Sequence, residues 1–398
     1  MKNKILIFAD HFLPGFRAGG PILSLSLLYE NLQEHFDPIV ATRNRDFGEA
    51  EPYREVSWDE TTLYLEYTVH YFSKVGWAPL LALVRACRPK SIYLNSFFSA
   101  FSRRILILNR FGLVPCPVIL APRGELSTGA LAIKGFKKRT YLSLFKALNL
   151  DMGVVFHATD KSEESDIKRL FRAKTCLIPN FSRPVAVGDF PLPQKRAGSL
   201  NLVFLSRISE KKNLLGAMQI LAEGAIRGEV AFDVYGPIED AAYWDRCLAK
   251  SRELSPNIRF RYLGAVESKD VLGILSRYHV LLLPTRNENF GHVIVEAMKL
   301  GLLPIVSDQT PWRGLEEIDA GWDLPLGGTA KFAEAIRRVV EMGQSEFSTW
   351  SAQAQSYIGQ ATGSSRYKEE YHSLFDGLAG DGFHKRSLMA VRFKDGTT

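Results

Sequence analysis

Short apolar runs alternate with amphipathic, helix-length segments along almost the whole chain. This alternation predicts repeated strand–helix–strand units, and therefore parallel sheets covered by helices. In the first half of the chain, apolar runs predict strands at residues 5–9, 38–42, 91–95, 118–121, 153–157 and 175–178. In the second half they predict strands at residues 202–206, 231–235, 258–263, 280–284 and 303–307. Helices are predicted between several of these strands, including residues 21–33 and 127–148.

The segment at residues 183–199 interrupts this pattern, because it is rich in proline, glycine and charge. It predicts a linker between two doubly wound α/β domains, at residues 1–182 and 200–362. Residues 363–398 are expected to form a helix that packs back on the N-terminal domain, followed by a tail. Doubly wound sheets bind ligands at the carboxyl ends of their strands. We therefore expect two Rossmann-like domains that face each other across a ligand-binding cleft.

Composition narrows the class of protein only slightly. The chain has 398 residues, of which 46% are hydrophobic and 23% charged, and this balance is typical of packed globular domains. A formal net charge of +7 favours anionic partners such as phosphates or an acidic membrane surface. Aromatic residues do not interleave with the basic runs, so no nucleic-acid partner is expected. The oligomeric state is left open.

The cysteines and the N-terminal sequence give an expectation for the cellular compartment of the protein. The four cysteines form no CxxC pair, which argues against a zinc site or a disulfide framework and favours a reducing compartment. Residues 1–10 predict a core strand rather than a signal peptide, because no cleavage-site pattern follows them. We expect a cytoplasmic protein, either soluble or bound at the inner face of the cytoplasmic membrane.

The strongest candidate site is at residues 288–296, between an apolar strand and an apolar helix. Glu288 is predicted on the strand-to-helix loop, and Glu296 in the second turn of the helix. Gly291 allows close approach of a ligand to the backbone, and the start of a helix directs free N–H groups at anions such as a diphosphate. Two carboxylates beside such a site can accept hydrogen bonds from sugar and ribose hydroxyls. The alternative is that Glu288 is a solvated loop residue and that Glu296 is an ordinary surface position of an amphipathic helix.

A second candidate site follows the strand that ends at Ser206. Arg207 and Lys212 come directly after this strand, at the predicted carboxyl edge of the second sheet. Fixed cations there can stabilise the charge that develops on a departing nucleoside diphosphate. The chain contains no Asp-x-Asp pattern, so cationic side chains are the plausible substitute for a metal ion. The alternative is a solvated basic loop.

The motif that contains Arg207 and Lys212 is followed along the chain by the motif that contains Glu288 and Glu296. In this chain order the two motifs resemble family 4 of the retaining glycosyltransferases. The resemblance extends from about residue 5 to the final helix and implies the GT-B architecture, with the donor mostly in the C-terminal domain. It implies that Arg207 and Lys212 bind the donor diphosphate, that Glu288 contacts the transferred sugar and that Glu296 holds the ribose. It further implies a donor-binding role for the backbone of Asn289, Phe290, Gly291 and Gly236.

The first domain offers weaker candidates. Gly19 and Gly20 follow the first strand, where the resemblance implies a glycine-rich loop facing the donor; a simple turn is the alternative. Arg123 stands in a Pro-Arg-Gly sequence where many family members carry His-Gly, so no histidine role is carried over. It is a candidate catalytic or acceptor-binding residue, with a structural arginine as the alternative.

Three further positions in the first domain follow predicted strands. His157 is a second acceptor candidate, with Glu163 and Glu164 nearby, although a single histidine at a strand end is more often structural. Asn180 resembles an asparagine at the interdomain turn of the family, and we expect a positional role for it.

The resemblance implies a retaining transferase that moves a hexose-type sugar from a UDP- or GDP-sugar without cofactor or metal. The acceptor would be a glycan or a lipid-linked saccharide in surface polysaccharide synthesis. No carboxylate nucleophile is identifiable in the sequence, and the resemblance implies a front-face mechanism. Residues 134–146 mix cations with large apolar side chains, which favours contact with an anionic membrane, although a core helix with a solvated basic face is equally compatible.

Two alternative functions remain open at this point. One is a non-catalytic protein that binds nucleotide or polysaccharide, and the other is a nucleotide-sugar epimerase of the same architecture. A dinucleotide dehydrogenase is disfavoured, because the first loop lacks the Gly-x-Gly-x-x-Gly pattern.

Overall fold

The computed structural model describes residues 2–132, 135–185 and 189–376. In these residues the N-terminal domain contains a sheet with the strand order β3-β4-β2-β1-β5-β6-β7-β8. Its strands are β1 (Asn3–Phe8), β2 (Phe36–Arg43), β3 (Thr61–Tyr64), β4 (Tyr67–Phe72), β5 (Ser91–Asn95), β6 (Val118–Ala121), β7 (Val154–Ala158) and β8 (Lys174–Leu177). All neighbouring strands pair in parallel except β3, which runs antiparallel to β4 at the sheet edge.

Helices cover both faces of this sheet: α1 (Gly20–Leu32), α2 (Trp77–Cys87), α3 (Ala100–Arg110), α4 (Thr128–Ala132), α5 (Gly135–Ala147) and α6 (Lys161–Leu170). Successive side chains of a strand point to opposite faces. In β1, Leu6 and Phe8 therefore join the core beneath α2 and α3, while Ile5 and Ile7 join the core beneath α1. Both faces are buried, which explains why the strands appear as continuous apolar runs in the sequence.

The C-terminal domain repeats the same architecture with the strand order β11-β10-β9-β12-β13-β14, in parallel throughout the described pairs. Its strands are β9 (Ser199–Leu205), β10 (Glu229–Tyr235), β11 (Ile258–Tyr262), β12 (Val280–Leu283), β13 (Leu303–Ser307) and β14 (Trp322–Leu324). Its helices are α7 (Leu214–Glu223), α8 (Ala241–Ser251), α9 (Val271–Leu275), α10 (His292–Lys299), α11 (Thr329–Glu341) and α12 (Gln344–Ala361). The predicted fold class, two Rossmann-like doubly wound domains, is confirmed.

The structure differs from the predicted elements in a few places. The helix predicted at residues 127–148 is divided into α4 and α5, and residues 133–134 lie outside the described residues. The edge strands β3 and β14 were missed, because β14 has three residues and β3 alternates exposed and half-buried positions. The strand β4, which lies between β3 and β2, was missed as well.

The segment predicted as a linker does not stand apart from the domains along its whole length. Phe190 packs against the core of the C-terminal domain. Lys195 is 3% exposed, and its Nζ donates to the carbonyl oxygen of Met342 at 2.9 Å. The end of residues 183–199 is therefore part of the C-terminal domain.

The last described helix, α13 (Ser364–Asp376), returns to the N-terminal domain. It packs against α1, and Tyr371, Leu374 and Phe375 are buried in the same core as Ile5 and Ile7. The chain thus crosses between the domains twice, once before β9 and once between α12 and α13.

We expect Phe375→Ala to destabilise the N-terminal domain by about 3–5 kcal/mol, because it leaves a cavity in place of a fully buried ring. The measurement is thermal or urea denaturation of the full chain. Glu369→Ala, on the exposed side of the same helix, is the matched control and should change stability by less than about 0.5 kcal/mol. Equal effects of the two substitutions would show that α13 does not contribute to the core.

Candidate active site

Two loops at the carboxyl edge of the C-terminal sheet are joined by hydrogen bonds. They follow β9 and β12, which are neighbours where the strand order reverses. Asn213 Nδ2 donates to the Pro284 carbonyl oxygen at 2.9 Å, and the backbone N–H of Arg286 donates to the Lys211 carbonyl oxygen at 2.8 Å. Because ligands bind at this point of doubly wound sheets, the joined loops form the base of the candidate site.

An ion pair between Lys212 and Glu288 connects the same two loops. Both side chains are largely buried, with 13% and 15% of their surface exposed. Burial raises the pKa of Glu288, but Lys212 and Lys211 outweigh it and hold the pKa below its usual range. Glu288 is therefore ionised at neutral pH, and the solvated-loop alternative does not describe it.

Gly291 sets the direction of the chain between Glu288 and α10. It adopts φ +72°, a left-handed conformation that favours glycine, and a Cβ there would lie 2.9 Å from the Glu288 Cγ. No side chain of the described residues caps the start of α10. The first turn of α10 therefore combines a glycine and an uncapped N-terminus, an arrangement that can accept an anionic group.

Glu296 lies one turn further along α10 and is 3% exposed. Its Oε1 has no hydrogen-bond partner among the described residues, although Arg183 Nη1 lies 3.5 Å away. Burial raises the pKa of Glu296 to about 7, against the opposing effect of Arg183 and Lys299. The alternative of an ordinary surface position is wrong, because the carboxylate is buried and Oε1 has only the ion pair with Arg183 and no hydrogen bond among the described residues.

Arg207 reaches from the C-terminal domain to the N-terminal domain. Its Nη1 lies 3.0 Å from Glu239 Oε2, and its guanidinium carbon lies 5.5 Å from the centre of the Phe47 ring. With 27% of the side chain exposed, Arg207 is not part of a solvated basic loop. Together with Lys212 it acts on the Glu288 carboxylate and lowers its pKa, whereas the cations near Glu296 are Arg183 and Lys299.

Contacts across the cleft align the glycine-rich turn with α10. Ser24 Oγ and His292 Nε2 lie 2.7 Å apart in a buried hydrogen bond, and a Cβ on Gly20 would approach the His292 ring to 3.7 Å. Gly19, at φ +67°, precedes α1. Burial lowers the pKa of His292 to about 3, so the ring is neutral. Sequence reasoning missed this pair, because nothing in the sequence relates two residues so distant along the chain.

Asn289 and Phe290 occupy different environments. A Cβ on Gly124 of the N-terminal domain would overlap the Asn289 side chain, so this glycine permits a close interdomain contact. Phe290 is 5% exposed and packs against His292 and Trp312, and Trp312 Nε1 donates to its carbonyl oxygen at 2.6 Å. The Phe290 side chain is part of the core, and only its backbone N–H is a candidate for donor contact.

Gly236 has a structural explanation that sequence reasoning did not supply. It adopts φ +137°, and a Cβ there would overlap the Ser206 carbonyl oxygen. The loops after β9 and β10 could not approach this closely with any other residue.

Arg123 is held by protein groups on each guanidinium nitrogen. Nε donates to Asn95 Oδ1 at 2.6 Å, Nη1 to Asn180 Oδ1 at 2.6 Å and Nη2 to Tyr93 Oη at 2.9 Å. This geometry favours the structural alternative over a role in catalysis or acceptor binding. Asn180 acts as a partner that positions Arg123.

His157 is not available to an acceptor. Its side chain is fully buried, Nδ1 lies 2.7 Å from Tyr93 Oη, and Nε2 lies 2.8 Å from the Ile178 carbonyl oxygen. Burial lowers its pKa to about 3. The acceptor prediction for His157 is contradicted, because both ring nitrogens are engaged within the domain.

Glu163 is likewise structural. It is 2% exposed and accepts hydrogen bonds from the backbone N–H groups of Gly124 and Thr159. These bonds hold the strand ends in place and leave the carboxylate away from solvent.

Comparisons with known proteins bear on the fold and on the class of enzyme. Residues 191–355 match the family model described as glycosyl transferases group 1. A search of curated protein sequences gave no match. The chain is a glycosyltransferase.

Similar solved structures include HepE of Anabaena in complex with UDP and glucose, with a TM-score of 0.69 and 15% identity over 94% of this chain and 100% of that chain. Sucrose-phosphate synthase of Thermosynechococcus elongatus gives a TM-score of 0.69 and 16% identity over 95% and 99% of the two chains. A trehalose-phosphate synthase of Burkholderia xenovorans, in complex with glucose-6-phosphate, gives a TM-score of 0.65 and 11% identity over 95% and 100%. At these identities the likeness shows the GT-B fold.

The raised pKa of Glu296 predicts a pH-dependent stability. Such a group stabilises the fold fully below its unfolded-state pKa, and this contribution is lost as the pH rises through the folded-state value of about 7. We expect Glu296→Gln to melt at a higher temperature than wild type at pH 8. The free energy of unfolding should increase by up to roughly 3 kcal/mol. The difference should shrink as the pH falls from 7 to 4.5 in melting curves of ligand-free protein.

Glu288→Gln is the matched control and has the opposite sign. The pKa of Glu288 is lowered, so its contribution is present above the unfolded-state value of 4.5 and is lost as the pH falls. This variant should therefore melt below wild type at pH 7, with a deficit that narrows in acid. A pH-independent difference for either variant would contradict the assigned environment.

Proposed function

We propose that the protein is a retaining, metal-independent transferase of the family 4 type, which moves a hexose-type sugar from a nucleotide-sugar to a saccharide acceptor. The observation that carries this proposal is the buried carboxylate of Glu296 in the second turn of α10, whose Oε1 lies 3.5 Å from Arg183 Nη1 and has no hydrogen bond among the described residues. A ribose hydroxyl donating to this oxygen would satisfy it, since unpaired buried acceptors are unfavourable. UDP is the first nucleotide to test, because the complex of Anabaena HepE contains UDP and glucose.

Each charged residue of the site has a proposed role. Arg207 and Lys212 bind the diphosphate, and the N–H groups of Asn289, Phe290 and Gly291 with the turn at Gly19 and Gly20 surround it. Both cations are paired with carboxylates, Arg207 with Glu239 and Lys212 with Glu288. Donor binding then exchanges one anionic partner for another, so neither cation has to be desolvated from bulk water. Glu288 is released towards the sugar hydroxyls.

The transfer step follows from these roles. The bond between the anomeric carbon and the diphosphate oxygen breaks, and negative charge develops on that oxygen beside Arg207 and Lys212. The acceptor hydroxyl attacks from the same face, its proton passes to the departing phosphate oxygen, and a new C–O bond forms with retention. A covalent route would need a carboxylate on the far face of the sugar, and we assign none.

Metal independence rests on the two cations in place of a divalent ion. In the described ranges, no group of three or more His, Cys, Asp or Glu side chains is arranged to hold a metal ion. Addition of a chelator to the nucleotide-binding assay tests metal independence directly.

The acceptor is proposed to be lipid-linked, at an anionic leaflet. Helix α5 contains no acidic residue and exposes Phe136 at 85% and Leu144 at 49%, beside the exposed cations Lys137, Arg139 and Lys146. Nearby, Arg110 Nε donates to the Leu148 carbonyl oxygen and places the exposed Phe111 beside the end of α5. Cations interleaved with exposed apolar groups are typical of interfacial helices. Within the described ranges, no helix combines the length and apolar character needed to cross a bilayer.

The first prediction concerns the donor. UDP, GDP, ADP, TDP and CMP are compared by thermal shift, with and without chelator. One nucleoside diphosphate should stabilise the protein by about 2.7 kcal/mol at one hundred times its Kd, insensitive to chelator. The shift should be lost in Arg207→Ala and Glu296→Ala and kept in Arg246→Ala, another ion-paired arginine of the same domain. Absence of stabilisation by every nucleotide would favour a non-catalytic protein. Turnover of the donor in the absence of an acceptor would favour an epimerase or a hydrolase.

The second prediction concerns the membrane. Vesicles rich in anionic lipid should float with the protein at low salt, and binding should weaken as salt screens the basic face of α5. Replacing Phe136 and Leu144 by serine should reduce flotation at least about tenfold. Leu63→Ser with Leu65→Ser, two leucines exposed at 69% and 67% elsewhere in the domain, is the matched control. Equal loss in both double variants, or no flotation of wild type, would disprove membrane docking by α5.

A further inference from the structure

A second group of cations lies outside the proposed donor site, further along the carboxyl edge of the N-terminal sheet. Arg43 ends β2, and Ser73 and Lys74 follow β4, its parallel neighbour, so these residues meet at one edge of the sheet. Arg45 and Arg104 complete the lining of a cavity of about 340 Å³, which we call the basic cavity. Its volume falls at the lower end of small-ligand sites and suffices for a phosphorylated monosaccharide.

The basic cavity carries more positive charge than the described protein groups neutralise. Of its four cations, Arg43 is paired with a carboxylate, with its Nε 3.1 Å from Asp10 Oδ1. Arg45 donates to neutral oxygens, those of the Asn44 side chain and the Ala50 backbone. Lys74 has no ion-pair partner among the described residues, and Asp59, the nearby acid, is bonded to Ser73.

Arg104 adds an unsatisfied donor to this surplus charge. Its Nη1 donates to the Ala100 carbonyl oxygen at 3.0 Å, and its guanidinium lies 5.6 Å from the Trp77 ring. Its Nε is buried and has no hydrogen-bond partner among the described residues. A buried donor of a cationic group without a partner is costly unless an anion completes it. Ala100, the first residue of α3, also lines the cavity and adds the positive end of that helix.

The loop that lines the basic cavity also reaches the donor side. Phe47, two residues after Arg45, lies against the Arg207 guanidinium. Between them, Asp46 accepts from the backbone N–H groups of Phe16 and Arg17, in the turn that leads to the glycine-rich start of α1. One packed loop therefore connects the basic cavity to a cation of the proposed donor site. An acceptor anchored in this cavity would lie in the N-terminal domain, facing the donor.

We propose that the basic cavity binds a phosphoryl group of the acceptor substrate. The planar fork of arginine matches the oxygens of a phosphate, and several cations together match its double charge better than that of a single carboxylate. This inference rests on the proposed transferase function and specifies its acceptor class. The phosphoryl group can belong to a soluble sugar phosphate or to a saccharide linked through diphosphate to a lipid.

The test is calorimetric titration of the full chain kept saturated with UDP, so that anions cannot bind at the donor diphosphate site. The probes are glucose 6-phosphate, glucose, glucuronate and a prenyl-diphosphate-linked sugar in detergent. We expect one of the two phosphorylated probes to bind at least about tenfold more tightly than glucose and glucuronate. The phosphorylated probe that binds more tightly identifies the source of the phosphoryl group.

Lys74→Ala, with or without Arg104→Gln, should weaken that binding at least about tenfold, because each removes a cation from the cavity. Lys4→Ala is the matched control, since Lys4 lines a different cavity at the opposite end of the same sheet. It should leave the affinity for the phosphorylated probe unchanged. The Lys74→Ala variant should retain its thermal stabilisation by UDP, which shows that the fold and the donor site are intact.

Two outcomes would overturn the inference while leaving the transferase proposal in place. One is stabilisation by UDP without any preference for a phosphorylated probe over glucose and glucuronate. The other is a preference that Lys74→Ala and Lys4→Ala reduce equally. Failure of UDP and the other nucleotides to bind at all would instead count against the proposed function itself.

Discussion

The buried ion pair between Lys212 and Glu288 is the interaction on which the arrangement of the site depends. It joins the loops after β9 and β12, and each of its charges would be strongly unfavourable at this depth without the other. The pair therefore selects one relative position of the two loops. That position also sets the direction of Gly291, and with it the start of α10 and the depth of Glu296. The proposed donor site is thus built around opposite charges that hold each other in place.

The interdomain surface follows a different physical rule. Its central contact, Ser24 with His292, is a neutral hydrogen bond, because burial keeps the imidazole uncharged. The close approaches at Gly20 and Gly124 are possible because neither residue has a Cβ. Neutral, sterically matched contacts can separate and re-form without the desolvation penalty of an ion pair. Charged groups lie beside this surface, where Arg207 contacts Phe47, and around Arg104 in the basic cavity.

Much of the fold was predictable because both sheets are covered on both faces, so that strands such as β1 and β12 appear as uninterrupted apolar runs. The edge strand β3 could not be predicted, since its burial depends on neighbours that the local sequence does not reveal. The residues Arg207, Lys212 and Glu288 could be proposed for the carboxyl edge from the sequence, because each follows a predicted strand in the second half of the chain. The roles of Arg123 and His157 could not, because they depend on hydrogen bonds to Asn95, Asn180 and Tyr93, which only tertiary structure brings into reach. The basic cavity was missed for the same reason, as its cations come from three separate segments.

The two crossings of the chain between the domains have a mechanical consequence. One lies before β9 and the other between α12 and α13, and the core residues Tyr371 and Phe375 fasten the second crossing to the N-terminal domain. Two bodies tied together at two points can rotate about the line through those points, but they cannot slide past each other or twist freely. Opening and closing of the cleft is thereby restricted to something close to a single degree of freedom. Each closure then returns α10 to the same place opposite the glycine-rich turn, without a search over other orientations.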